Sequence, residues 1–162
     1  MSNHTYAIIP VKPLNRAKSR LARVVKAPTR AALVRSIFSR TLDVIAEVER
    51  IDGVIVVSRD LTILELARQR NAIALAESES GLNSAITQAA QWAAQHNARS
   101  VIVIPVDLPL ITSADLDAVI RRVDVAEARA AHHPISLLLD RDKGQGDSQF
   151  LTVECGAQVR PH

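Results

Sequence analysis

Three short stretches of this chain carry side chains suited to chemistry on anions. The first is Lys12-Pro-Leu-Asn-Arg-Ala-Lys18-Ser-Arg20-Leu21. Its cations Lys12, Arg16, Lys18 and Arg20 are close enough in sequence to surround a polyphosphate with side-chain charge where a glycine-rich backbone cradle is lacking. The second is Gly81-Leu-Asn83. There glycine permits close backbone approach, the amino end of a helix favours negative charge, and the Asn amide can read a base or ribose edge. The third is Pro105-Val-Asp107-Leu-Pro109, a carboxylate between two prolines just past an apolar run. It suits Mg²⁺, which takes one or two protein carboxylates together with phosphate oxygens. Asp140 and Asp142 could join it, although a charged surface turn accounts for them better. Each stretch also has a plainer reading: a solvated basic loop, a capped helix start and a turn cap.

Composition narrows the choice. Only five glycines are present, at positions 53, 81, 144, 146 and 156, and they form neither G-x-G-x-x-G nor G-x-x-x-x-G-K-[ST]. Dinucleotide-dependent dehydrogenases and P-loop enzymes are thereby disfavoured. His4, His96, His132, His133 and His162 with Cys155 lack zinc spacing, and a single thiol cannot form a disulfide within the chain. The formal charge of +3 conceals a segregation: residues 1–42 hold nine Lys or Arg and no acid, while the rest holds eleven basic and seventeen acidic residues. An acid-free basic region of that length points to an anion: nucleic acid, a membrane surface, a nucleotide phosphate or the acidic remainder of the same chain. Nucleic acid fits poorly, because Tyr6 and Phe38 are the only aromatics there and both read as structural.

Regular elements must position these residues. Thr5–Val11, Gly53–Ser58, Ser100–Val106 and Ile135–Leu139 read as buried strands, and Ala72–Ala76 as a weaker one. Helical periodicity covers Pro28 to about Glu49, with Val34, Ile37, Phe38, Leu42, Ile45 and Val48 on one face. Further helices are expected over Leu61–Arg70, over Leu82–His96 and from the Thr112–Asp115 capping box to about Val123. Strands alternating with amphipathic helices specify an α/β domain, a mostly parallel sheet between helical layers. All three chemical stretches then fall on the carboxyl rim of one sheet, where such folds bind ligands. Together they describe a site for a nucleoside triphosphate with magnesium. The 162 residues suit one domain, and no apolar run approaches the ~18 residues of a membrane helix. A cytoplasmic protein with no membrane partner is expected.

The strings Pro10-Val-Lys12-Pro-Leu-Asn-Arg-Ala-Lys18-Ser-Arg20-Leu21, Gly81-Leu-Asn83-Ser-Ala-Ile86 and Pro105-Val-Asp107-Leu-Pro109 resemble the guanylyltransferases of coenzyme F420 biosynthesis over about residues 5–146. The resemblance implies a three-layer α/β/α, nucleotidyltransferase-like (Rossmann-like) fold. It also implies transfer of GMP from GTP to a phosphorylated three-carbon acid, phosphoenolpyruvate or 2-phospho-L-lactate. Carried onto this sequence, it has Lys12, Lys18 and Arg20 holding the triphosphate as catalytic cations. Gly81 and Asn83 would hold the guanosine, Asp107 the Mg²⁺, and Gly146 the acceptor acid. GTP and a small phospho-acid would be the partners, nucleic acid would not, and a homodimer is compatible with it.

The resemblance stops at the tail. Where relatives continue G-T-x-N-x-L, this chain has Gly146 followed by Asp147, and residues 147–162 follow no family motif. Suitable codons for Gly-Asp-Ser-Gln-Phe-Leu, read one base later, encode Gly-Thr-His-Asn-Ser-Leu, so a shifted frame would account for the divergence. The expected organisation is a nucleotidyltransferase-like domain over 1–146 and a divergent or truncated tail over 147–162. Two rivals stay open: a non-catalytic nucleotide-binding domain, and a molybdopterin or sugar-phosphate nucleotidyltransferase, whose glycine-rich start is missing here.

Overall fold

A computed structural model describes residues 4–14, 25–129, 135–139 and 150–154. Its elements are β1 (His4–Val11), α1 (Ala27–Ala46), β2 (Gly53–Ser58), α2 (Leu61–Gln69), β3 (Ile73–Ala76), α3 (Leu82–Gln95), β4 (Ala98–Val103), α4 (Ser113–Arg129), β5 (Ile135–Leu139) and β6 (Phe150–Glu154). They form one sheet of order β3-β2-β1-β4-β5-β6. The first five strands are parallel and β6 pairs antiparallel with β5.

The pleat divides the core. Ala7, Ile9 and Val11 of β1, with Val56 and Ile102, pack against α1, α2 and α4 through Phe38, Ile45, Ile63 and Leu116. Ile8, Ile55, Val57, Val101 and Val103 face the other way, onto Ala85, Ile86, Ala89 and Ala93 of α3. The strands are therefore apolar without alternation because both faces are covered. The alanines of α3 let that helix lie close to the sheet. Phe38, Ile8, Ile55 and Leu64 are each almost wholly buried, contributing roughly 1.5–3 kcal/mol apiece relative to exposure.

Boundaries differ from the sequence expectation for identifiable reasons. β4 stops at Val103 because Ile104 makes the last ladder bond, N–H to the Ile8 carbonyl at 2.8 Å, and Pro105 has no N–H to continue. α2 ends early because Asn71 takes a left-handed φ of 58° and the Ala72 N–H turns back to the Ala67 carbonyl, removing Ala72 from β3. α1 ends at Ala46 in tightened i→i−3 bonds, although Val48 remains buried beyond it. α4 runs to Arg129 rather than Val123, since Asp-Val-Ala-Glu-Ala-Arg contains no breaker. Phe150–Glu154, read only as tail, adds the antiparallel edge strand.

The expected capping box at α4 is present. The Thr112 N–H and hydroxyl donate to one Asp115 carboxylate oxygen at 3.0 and 2.7 Å, and the Asp115 N–H returns to Thr112 Oγ1 at 3.2 Å. These bonds hold the Asp115 carboxyl below its ordinary pKa, the Thr112 side chain contributing most.

Candidate active site at the carboxyl rim

Chain order creates a reversal in the sheet. β1 leads to β2 and β3 on one side, and the chain then returns to place β4 on the other side of β1. The crevice beyond the carboxyl ends of β1 and β4 is thus the topological switch point, where open α/β sheets bind ligands. In the ladder Ile8 is level with Val103. Lys12 and Asp107 each lie four residues beyond that pair, so both follow the carboxyl ends of adjacent strands. Both are exposed.

The structure therefore brings Lys12 and Asp107 to the same rim. Gly81 and Asn83 lie at that end of the sheet too, because the short connection 77–81 leads from the carboxyl end of β3 into α3. Lys18, Arg20 and Gly146, with Arg16, Asp140 and Asp142, lie outside the described residues.

Asp107 is an exposed carboxylate with no hydrogen bond or ion pair to another of the described residues. Its oxygens are open to an external ligand, which fits a hard cation that completes its shell with phosphate and water oxygens. The loop carrying it is tethered from behind: Arg40 Nε on α1 donates to the Pro109 carbonyl at 3.1 Å. Among the described residues no cluster of three metal-ligating side chains occurs.

At α3, Gly81 adopts φ 139° and ψ 148°, a conformation open to glycine and strained for other residues. A Cβ there would have room, with Ser84 Oγ the nearest atom at 3.6 Å, so backbone conformation alone demands glycine. The Gly81 N–H is already engaged by Glu77 Oε1 at 3.0 Å, and Glu77 in turn pairs with Arg59 at 3.4 Å. No side chain caps the first turn of α3, so the amides after Gly81 are the ones available to a ligand. Asn83 is exposed beside them.

Three rim residues escaped the sequence reading. Asp60, the N-cap of α2, accepts the Thr62 and Ile63 N–H groups on Oδ1 at 2.9 and 3.4 Å and the Leu14 N–H on Oδ2 at 2.9 Å. Ser58, fully buried, accepts the Asp60 N–H on Oγ at 3.1 Å and the Glu77 N–H on its carbonyl at 3.0 Å. Glu77 completes the series at Gly81. The one available signal was Asp60 directly before a helical run, which marks a cap but not a long-range partner.

Some of the basic region is structural: Arg30 Nη1 donates to the Val25 carbonyl at 2.7 Å and Arg40 to Pro109. Lys12, Lys26 and Arg35 remain exposed. Tyr6 lies edge-on to Trp92 at 5.9 Å and Phe38 is in the core, both structural as expected. No helix among the described residues is long and apolar enough to cross a membrane.

Residues 5–144 match the family model described as Guanylyl transferase CofC like. A phosphoenolpyruvate guanylyltransferase from Sphaerobacter thermophilus is 36% identical over 72% of this chain and 56% of its own length. One from Rubrobacter xylanophilus is 37% identical over 94% and 70%. A 2-phospho-L-lactate guanylyltransferase from Methanocaldococcus vulcanius is 36% identical over 70% and 49%. The chain thus spans little more than half the length of the first of these relatives. Among solved structures, 4-diphosphocytidyl-2C-methyl-D-erythritol synthase from Anaerococcus prevotii superposes with a TM-score of 0.54 at 16% identity, covering 96% of this chain and 64% of that one. At that identity the likeness concerns the three-layer fold alone.

Proposed function

The chain belongs to the Guanylyl transferase CofC like family, and from that premise we propose that it transfers GMP from GTP to the phosphate of phosphoenolpyruvate or 2-phospho-L-lactate in coenzyme F420 biosynthesis. The observation that supports the reading is that Lys12 and Asp107 follow the carboxyl ends of β1 and β4, the adjacent strands at the switch point. The names of the Sphaerobacter and Rubrobacter relatives favour phosphoenolpyruvate as acceptor, and that of the Methanocaldococcus relative keeps 2-phospho-L-lactate beside it.

In this proposal Lys12, Lys18 and Arg20 bind the triphosphate, Gly81 and Asn83 the guanosine, and Gly146 the acceptor. Asp107 would hold Mg²⁺, for which its open carboxylate oxygens are suited. Magnesium, when bound, would neutralise phosphate charge and fix the geometry of the triphosphate. A phosphate oxygen of the acceptor attacks the α-phosphorus in line. The bond between that phosphorus and the α–β bridging oxygen breaks, and its electron pair leaves with pyrophosphate. The acceptor oxygen is already ionised at neutral pH, so the chain need not remove a proton. Its contribution is alignment and charge: the basic loop stabilises the departing pyrophosphate while the α3 entrance fixes the nucleoside. We place the enzyme in the cytoplasm, where GTP and the phospho-acids are available, with a homodimer as a compatible assembly.

The test is conversion of GTP with phosphoenolpyruvate, 2-phospho-L-lactate or 3-phosphoglycerate, with and without Mg²⁺, read by mass spectrometry. The expected products are pyrophosphate and a guanosine diphosphate ester of one acid, formed only with the metal. GTP binding without turnover of any acid would instead identify a nucleotide-binding domain that lacks transfer. Asp147, an anion where the family has threonine beside the acceptor glycine, is the feature that would favour this second reading.

A further inference from the structure

The rim carries a hydrogen-bonded series that the proposed chemistry does not use. The Leu14 N–H donates to Asp60, the Asp60 N–H to Ser58 Oγ, the Glu77 N–H to the Ser58 carbonyl, and the Gly81 N–H to Glu77. It runs from the root of the basic loop after β1, across the ends of β2 and β3, to the amino end of α3. Leu14 is the last described residue before the remainder of that loop, and its side chain is buried in the core.

Asp60 is the centre of this series. An N-cap needs one acceptor oxygen, and Oδ1 alone receives both helix amides. Oδ2 turns away from the helix and takes a backbone amide forty-six residues earlier. Capping does not require that second contact. It fixes the height and direction at which the chain leaves β1, and therefore where Lys12 stands at the rim.

We infer that Asp60 is a positioning residue for nucleotide binding: one carboxylate oxygen caps α2 and the other clamps the root of the basic loop through Leu14. The inference rests on the proposal that this loop holds the triphosphate. It goes beyond it by assigning the loop's geometry to a residue that never touches the ligand.

Asp60→Asn separates the two roles. Asparagine is as good an N-cap as aspartate, so its oxygen keeps Thr62 and Ile63, while its amide group opposes the Leu14 N–H with another donor. Three measurements on the full chain decide the matter: thermal unfolding, hydrogen exchange of the Leu14 amide by NMR, and calorimetric binding of GTP with Mg²⁺. The expected result is a nearly unchanged unfolding temperature, faster Leu14 exchange, and GTP binding weakened about fivefold to tenfold. Ser58→Ala, which removes the acceptor for the Asp60 N–H, should shift exchange and binding in the same direction by less, and serves if the first variant does not fold. Thr112→Ala, which destabilises a helix start outside the series, should leave GTP affinity unchanged. Unaltered exchange and unaltered GTP binding in Asp60→Asn would overturn the inference. If the unsubstituted chain binds no GTP, the nucleotide reading fails and this positioning role falls with it, whereas accelerated Leu14 exchange would still show the clamp itself.

Discussion

The two sides of the switch point are built differently. On the β2–β3 side, the first acidic residue after each strand is committed to the protein: Asp60 binds three backbone amides, and Glu77 holds Gly81 and Arg59; Glu79, further along, is exposed. On the β4 side, Asp107 binds none of the described residues, and its loop is fastened instead through the Pro109 carbonyl to Arg40. Carboxylates with satisfied oxygens hold loops in place, whereas one left open among prolines can accept an external cation without first breaking a bond. This contrast sets Asp107 apart from Asp60 and Glu77 as a carboxylate open to an external ligand.

The contrast can be broken first at Asp107. Asp107→Asn should lower transfer at least about 100-fold, the scale of losing a group that stabilises developing charge, with an unchanged unfolding temperature. Full activity in this variant would remove the metal assignment. Gly81→Ala should come next, at about 1–3 kcal/mol, because the left-handed φ rather than space excludes a side chain. Its signature is a lower unfolding temperature together with weaker GTP binding.

Arg40→Ala sharpens the same comparison from behind. With the tether to Pro109 removed, the Mg²⁺ concentration needed for half-maximal transfer should rise about fivefold, and lysine should restore it in part. A shift in GTP affinity at saturating metal would instead link the tether to the nucleotide side.

Thr112→Ala should have the smallest effect on the site: about 1 kcal/mol of stability, near 2–4 °C in unfolding temperature, and no change in transfer. Its pH dependence has a definite sign. The folded Asp115 carboxyl titrates below its unfolded value, so its contribution is complete above about pH 4 and lost as pH falls through the lowered folded pKa. The stability gap between the variant and the parent chain should therefore narrow in acid. A gap that widens there would contradict the bonding seen between Thr112 and Asp115.

Local pattern made most of the fold readable. Gly53–Ser58 and Ile135–Leu139 are strands over the residues their apolar runs marked, and the Thr112 box starts α4 as its spacing indicates. Ends set by longer-range bonds were harder. Nothing in Ala72 itself announces that its N–H turns back to Ala67, and Phe150–Glu154 became a strand only by finding β5 as a neighbour. For the candidate site, residue type singled out Lys12 and Asp107 because each charge follows an apolar strand run directly in the sequence. Asp60 escaped because its second bond spans forty-six residues, and Ser58 because a buried serine in an apolar strand carries no pattern. The acidic partner of Gly81 was likewise invisible, and it changes which α3 amides can meet a ligand.

The central claim is that the exits of β1 and β4 share one metal–triphosphate. Replacing Mg²⁺ by paramagnetic Mn²⁺ with GTP, and following the backbone amides by NMR, tests it most directly. Lys12 and Asp107 should broaden together, Asn83 with them, while His96 and Asn97 at the far end of α3 stay sharp. Broadening at only one of the two strand exits, or at neither, would contradict the account.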